Sequence, residues 1–449
     1  MSEERPVVIF IELGSFQSSI SRRNNEWFSM RTAVAKPEVP NENWSFGEQA
    51  LWKKNLLFPL SANKIECKNS LITFIRELVR LGKVGPLEDQ CLCINDLELP
   101  NVQSRKELLT LLFNEFNPRS ILVVPQQLAT AYAFVTTHHA NFPLILVNTG
   151  HRISTCCTVT MENEQLTFKS PLYQSPGGFH AMNAFKKLHP MVKNYFPNHT
   201  MMRREATGDG KAENYVEQLQ GPELKNPFHS SDYEYAFLNK AKVADRQTRQ
   251  DSYFPDVGAI SLPSLSPSTY SSSSREIECG RTLSLASEVF FTDAFQLPLP
   301  SIPQNIANLL NQSPIECQNN IVLAGGLCRI PNFTKRVGHD LQELVVGHTK
   351  IHGFQSNADN CGKEIRHGLV DIAKKEGGWR SASEGQNRWI LKAEFLDNPD
   401  VALQKGFNVP NYDAVNIDAE PSVEGLDPSG KVTQFSEFVP DSTKGAGIV

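Results

Sequence analysis

Apolar and polar positions fall into blocks that recur along this chain. Residues 143–159 read P-L-I-L-V-N-T-G-H-R-I-S-T-C-C-T-V: an apolar run from Leu144 to Val147, a polar turn at Asn148-Thr149-Gly150-His151, and a β-branched run from Ile153 to Val159. The N-terminus is built alike, with Val7 to Ile11 followed by Glu12-Leu13-Gly14-Ser15 and a weaker strand. Short continuous apolar runs of this kind predict buried strands. Gly and Asn at the turns predict hairpins whose backbone visits positive φ. Two strand–turn–strand units in two halves of a chain predict two lobes facing each other across a cleft.

Between the hairpins the apolar period lengthens. Leu71, Ile72, Ile75, Leu78 and Val79 form a stripe at i, i+3/i+4, i+7, which predicts a helix over 68–81. Cys91 to Ile94 and Ile121 to Val124 read as strands, Leu108 to Phe116 and Gln126 to Val135 as helices. Residues 1–135 therefore read as an α/β lobe. The second half follows with a helix at 181–188 and helix-like segments at 283–291 and 302–310. A strand at 320–324 then runs into the double glycine Gly325-Gly326, and a helix extends from near Pro331 to Val345. Residues 363–375 and 389–396 read as short helices. The organisation expected is a first lobe over 1–142, completed by 346–404, and a second lobe over 143–345 with a serine-rich loop at 261–275. A flexible tail is expected over 405–449.

Composition narrows the classes of function. At 449 residues the chain exceeds one ordinary core, and its net charge of −5 argues against bulk electrostatic binding to nucleic acid or anionic lipid. No apolar run approaches the roughly 20 residues of a membrane span, and the expectation is a chain without a signal peptide before the first strand. The nine cysteines lack zinc spacing and read as reduced structural residues of an intracellular protein, in cytosol or nucleus. His138-His139 have no third ligand at useful spacing, and no Ser/His/Asp motif is present.

Candidate chemistry rests on three glycine turns that each follow a buried strand: Gly14-Ser15, Thr149-Gly150 and Gly325-Gly326. A glycine there lets backbone N–H groups approach an anion with no Cβ in the way. Two such hairpin turns can clamp a polyphosphate, and a later Gly-Gly turn can pass close to a base or ribose. Each turn taken alone is explained as well by backbone geometry. His151 reads more simply as a solvated turn residue, and Gln126 as the first residue of a helix.

The order and spacing of these segments resemble the actin and actin-related family over roughly residues 5–345. Ile11-Glu12-Leu13-Gly14-Ser15 is similar to the first phosphate loop, and Val147-Asn148-Thr149-Gly150-His151 to the second. Trp44 to Ala50 resembles a short segment of the smaller lobe, and Leu122-Val123-Val124-Pro125-Gln126 the segment bearing the family's catalytic glutamine. Pro176-Gly177-Gly178 resembles the turn after the second loop; Ile321 to Gly326 with Ile330-Pro331-Asn332-Phe333 resembles the adenosine motif. The resemblance implies an α/β, actin-like two-lobed fold with a duplicated mixed β-sheet/helix core around a central cleft. It also implies nucleotide contacts from Glu12, Gly14, Ser15, Gln126, Asn148, Gly150, Gly178, Gly325 and Gly326.

Departures from the family pattern set the expected mechanism. Glu12 keeps a carboxylate in the first loop, but Asn148 and His151 stand where the family has the acids of the second. A neutral amide does not offset the charge of Mg²⁺ as a carboxylate does. Phe16 replaces a glycine of the first loop, and the family's phosphate-binding lysine falls at Ser19. With these electrostatic groups gone, a surviving Gln126 has little to act on. The expectation is a protein without catalytic residues or bound metal, holding ATP or ADP without turnover if it holds nucleotide. Its role is that of a structural subunit among other actin or actin-related chains, in the cytoplasm and cytoskeleton at the dynactin pointed end. A nuclear chromatin-remodelling complex is the alternative, and an active ATPase of the same superfamily a third. A chaperone-like module would need a substrate-binding β-domain, for which no segment is seen.

Overall fold

The computed structural model describes residues 7–22, 26–37, 43–53, 55–138, 142–162, 165–189, 203–206, 212–215, 230–244, 256–262, 276–353, 362–410, 412 and 415–423. They fall into two compact units, Met1–His180 with Leu297–Ala419, and Ala181–Gln296 with Glu420–Val449.

The first unit is mixed α/β and holds two large sheets. In the first sheet, Val8–Glu12 pairs antiparallel with Gln17–Ser21, which pairs antiparallel with Phe28–Arg31. On its other side Val8–Glu12 pairs parallel with Cys91–Asn95, and that strand parallel with Ser120–Val124. The second sheet repeats this order and sense. Leu144–Thr149 pairs antiparallel with Ile153–Glu162, which pairs antiparallel with Gln165–Pro176. On its other side it pairs parallel with Ile321–Gly325, and that strand parallel with Ile351–Gly353.

Side-chain alternation explains why these runs are so uniformly apolar. From the first sheet, Ile9, Ile11, Leu92, Ile94, Ile121 and Val123 enter a core with Phe74, Leu78, Leu112 and Phe113 of two helices. Phe10, Cys91, Cys93, Leu122 and Val124, pointing the other way, join a core with Phe134, Leu369, Ile372 and Trp389. Leu144 and Leu146 of the second sheet enter that same core. Strands covered on both faces cannot alternate polar with apolar, so they read as continuous hydrophobic runs.

The helices predicted from the 3.6 period occur at Lys68–Gly82, Val102–Phe116, Gln126–His138, Ile302–Leu310, Phe333–Leu344 and Lys363–Lys375. Their ends follow local chemistry. Asn101 and Ser104 form a reciprocal capping box on Val102–Phe116. Lys83 and Asn117 stop their helices in the left-handed region, at φ 52° and 51°.

Three expectations need correction. The segment 389–396 opens as an edge strand, Ile390–Leu391, antiparallel to Ser120–Ile121, and only then turns into the helix Lys392–Asp397. Residues 283–291 divide between a one-turn helix, Thr282–Ala286, and a 3₁₀ turn, Ser287–Phe290. Phe407 and Ile417, placed by sequence in a flexible tail, are buried in the core beneath the sheets, because an isolated apolar side chain carries no periodic signal. Most of the serine-rich loop, 263–275, and the chain beyond 423 lie outside the described residues.

The second unit contains the helix Ser230–Lys240 and a small antiparallel pair, Ala259–Ser261 with Glu276–Glu278. Phe185, His189 and Tyr233 pack edge to face there, ring centroids 5.4 to 5.6 Å apart. Lys187 reaches Glu420 at 2.7 Å and the Pro421 carbonyl at 3.1 Å, anchoring the returning chain.

Candidate functional site

The carboxyl ends of the parallel strands in the first unit gather the sequence-predicted residues. In the second sheet three of the four glycine positions meet. Gly325 lies opposite Thr149 in the parallel register, and the Thr149 hydroxyl donates to the Ala324 carbonyl at 2.7 Å. A Cβ at Gly325 would stand 2.4 Å from the Thr149 carbonyl oxygen, and its φ of +97° excludes other residues as well. The Gly178 N–H donates to the Gly150 carbonyl at 3.2 Å, so the turn after the second loop folds back over it. Gly326 is exposed and opens the 3₁₀ turn Gly326–Arg329.

Gly14 and Gly150 are required for a different reason than the sequence suggested. Neither takes positive φ among the described backbone. Each instead lets its own hairpin close: a Cβ at Gly14 would meet the Gln17 carbonyl oxygen at 2.6 Å, and one at Gly150 the Ile153 oxygen at 2.4 Å. The turns are tight by contact, not by torsion.

The first turn meets the second through two side chains. Ser15 Oγ donates to Glu98 Oε1 at 2.7 Å, and Glu98 Oε2 lies 3.2 Å from where a Gly150 Cβ would be. Phe16 lies between the Arg31 guanidinium, 3.4 Å from its ring centroid, and the His151 imidazole, 5.3 Å away. Arg31 also donates to the Phe16 carbonyl. His151, expected to be solvated, is packed against Phe16 and Phe179, and its Nδ1 is buried without a hydrogen-bond partner. Burial together with Arg31, Arg152 and His180 holds its pKa well below the usual histidine value, so it is a neutral ring at pH 7.

Glu12, the one carboxylate surviving in the expected cation-binding positions, is engaged elsewhere. Its Oε2 lies 3.6 Å from Arg366 Nε, and its carboxylate abuts Gly362, where a Cβ would clash at 1.7 Å. Gly362 is the left-handed N-cap of Lys363–Lys375, so the carboxylate sits at a helix N-terminus. Burial pushes its pKa up to about 8, against the opposing pull of Arg366 and of a hydrogen bond from Ser19. Ser19 also shares a 2.8 Å hydrogen bond with Ser29 on the neighbouring strand. At neutral pH Glu12 is largely protonated and offers no anionic oxygen.

Gln126, first residue of its helix, is buried, and its amide nitrogen lies 3.3 Å from the Asp96 carbonyl and 3.5 Å from that of Leu13. Asn148 is at the limit of burial, in register with Thr155. Asn95 ties the first turn down from the neighbouring strand: its Oδ1 accepts from the Leu13 N–H at 2.6 Å and its Nδ2 donates to the Leu13 carbonyl at 2.7 Å. Asp96 forms a buried ion pair with Arg105 at 2.5 Å.

Sequence reasoning missed Asn95, Glu98, Arg31, Gly362 and Arg366. For the first two a signal existed. Asn95-Asp96-Leu97-Glu98 directly follows an apolar strand, as Glu12 does, and parallel neighbours end on the same side of a sheet. Gly362 and Arg366 arrive from the far end of the chain, with no local mark.

The set is a poor fit for magnesium-bound polyphosphate. Its one candidate cation ligand is turned to Arg366, the second turn offers an amide and a neutral imidazole, and Phe16 and Glu98 stand between the turns. Among the described residues no group of three metal-ligating side chains is present, and no helix is long and apolar enough to cross a membrane. No protein-family model matches the sequence, and no curated protein matches it.

Proposed function

We propose that this chain is a non-catalytic actin-related protein, a structural subunit of a multiprotein assembly built with other actin or actin-related chains. Its fold is read as actin-like and two-lobed, and the assembly we assign it to is the dynactin pointed-end complex in the cytoplasm. The observation that carries the reading is the pairing of a repeated scaffold with a disarmed site. Five strands of the first sheet match the second sheet in order and sense, and the glycine turns meet. Yet the groups that would hold a cation are an arginine-bound acid, an amide and a neutral imidazole. Phosphoryl transfer is accelerated above all by electrostatic stabilisation of the transferring group, and little here supplies it. Any ATP or ADP the protein holds stays unhydrolysed.

Purified full-length protein incubated with Mg-ATP tests the enzymatic half: no phosphate release above a no-protein control is expected, and stoichiometric turnover would replace this reading with an active ATPase. Affinity purification from the native cell tests the other half. Dynein–dynactin subunits are the expected co-purifying proteins; a remodelling ATPase in their place would move the protein to a nuclear chromatin complex.

A further inference from the structure

Among the described residues Glu98 is the carboxylate that touches both hairpin turns. It sits three residues beyond the strand Cys91–Asn95, and its backbone is held by Gln127, whose side-chain amide donates to the Glu98 carbonyl at 3.3 Å. Oε1 accepts from the Ser15 hydroxyl of the first turn, and Oε2 lies against Gly150 of the second, buried and without a hydrogen-bond partner of its own. Burial pushes the Glu98 pKa above the ordinary carboxylate value, and the Ser15 hydroxyl and the Arg152 side chain pull against that rise. A hydroxyl beside a glycine turn is what a phosphate oxygen seeks. Here Glu98 Oε1 already holds the Ser15 hydroxyl, and Oε2 fills the space against Gly150.

We propose that Glu98 is a built-in carboxyl group that takes the place of a phosphate group between the two glycine turns, joining them without nucleotide. The inference rests on the non-catalytic reading and sharpens it: polyphosphate is excluded from the turns by an occupied hydroxyl and by space, whatever happens at Gly325-Gly326. A second acid group brought to the Ser15 hydroxyl meets an oxygen already bound there, and any charge on Glu98 adds repulsion to the crowding. Phe16, packed against both Arg31 and His151, fills the adjoining space.

Full-length wild type, Glu98→Ala and Glu98→Gln are compared for binding of inorganic pyrophosphate, by calorimetry and by the shift in Tm against sodium chloride at matched ionic strength. Wild type is expected to give no saturable response. Glu98→Ala is expected to gain a saturable rise in Tm and at least a ~10-fold tighter pyrophosphate affinity. Glu98→Gln keeps the side chain's shape should the alanine variant not fold, and is expected to gain a smaller response. Adding Ser15→Ala to either variant should abolish the gain. Wild type that binds pyrophosphate as tightly as the variants, variants that gain nothing, or a gain that survives Ser15→Ala would each overturn the proposal. Those outcomes are separable from the functional reading, which falls only with turnover of Mg-ATP by wild type.

Discussion

Five strands of the first sheet match the second sheet in order and sense, and the two differ in what stands at their carboxyl ends. The first sheet ends in acids: Glu12 after one strand, Asp96 and Glu98 after its parallel neighbour. The second ends in neutral groups at the matching places, Asn148 and Thr149 on one strand and Ala324 and Gly325 on the other. Every acid of the first sheet is engaged within the chain, Glu12 by Arg366, Asp96 by Arg105 and Glu98 by Ser15. A scaffold set by backbone pairing and apolar burial is indifferent to these end residues, so its chemistry can drift while its topology stays. The acids then serve as internal fastenings.

That contrast can be broken most severely at Asp96. Arg105 pairs with it inside the core and also donates to the Phe407 carbonyl, so Arg105→Ala leaves a buried carboxylate uncompensated. A loss of about 3–5 kcal/mol is expected in denaturant unfolding. No comparable penalty is expected for Asn148→Ala, the neutral counterpart on the second sheet.

Glu12 comes next, with a pH signature. Its folded-state pKa is about 8 against an ordinary value of 4.5, so between those pH values the folded chain binds more protons than the unfolded one. Stability from this group therefore falls as pH rises through that window. Glu12→Gln should flatten that alkaline decline and stabilise the protein at pH 8.5, on the order of 2–4 kcal/mol. His180 acts with the opposite sign. Burial lowers its pKa from 6.5 to about 4, so its contribution is lost as pH falls through that range. With these two groups stability is level between about pH 4.5 and 6.5 and falls from there to about 8; that fall should disappear in Glu12→Gln, and an unchanged fall would show that Glu12 ionises normally.

Gly325→Ala probes the second sheet's own constraint. Its φ of +97° and its closeness to the Thr149 carbonyl predict a cost of about 1–3 kcal/mol, visible as a lower Tm. Smallest is Lys106→Ala. The Lys106–Asp400 pair spans 2.9 Å but is exposed to water, and its loss should cost under ~1 kcal/mol and vanish at high salt.

Much of the scaffold was legible because its signals are local. The stripe Leu71, Ile75, Leu78 specifies a helix wherever it packs, and Leu144 to Val147 specify a buried strand. Ile390–Leu391 read as helix because a two-residue edge strand is defined by its partner Ser120–Ile121, not by its own sequence. The site was legible only in part. Gly150, Gly178 and Gly325 were found from turn position, and they do come together. The turns' own contacts could not be, since Glu98, Arg31 and Gly362 reach them across long stretches of chain.

The amino-acid sequence by itself determined the succession of strands, turns and helices, the glycines at the turns, and the neutral residues of the second hairpin. These are properties of neighbouring residues, fixed by periodicity, torsional freedom and side-chain charge. Only the tertiary structure decided that Glu12 faces Arg366, that His151 packs against Phe16 and Phe179, and that Glu98 stands between the turns. Burial and the pairing of distant charges are set by what the folded chain brings within a few ångströms, and no local pattern encodes that distance.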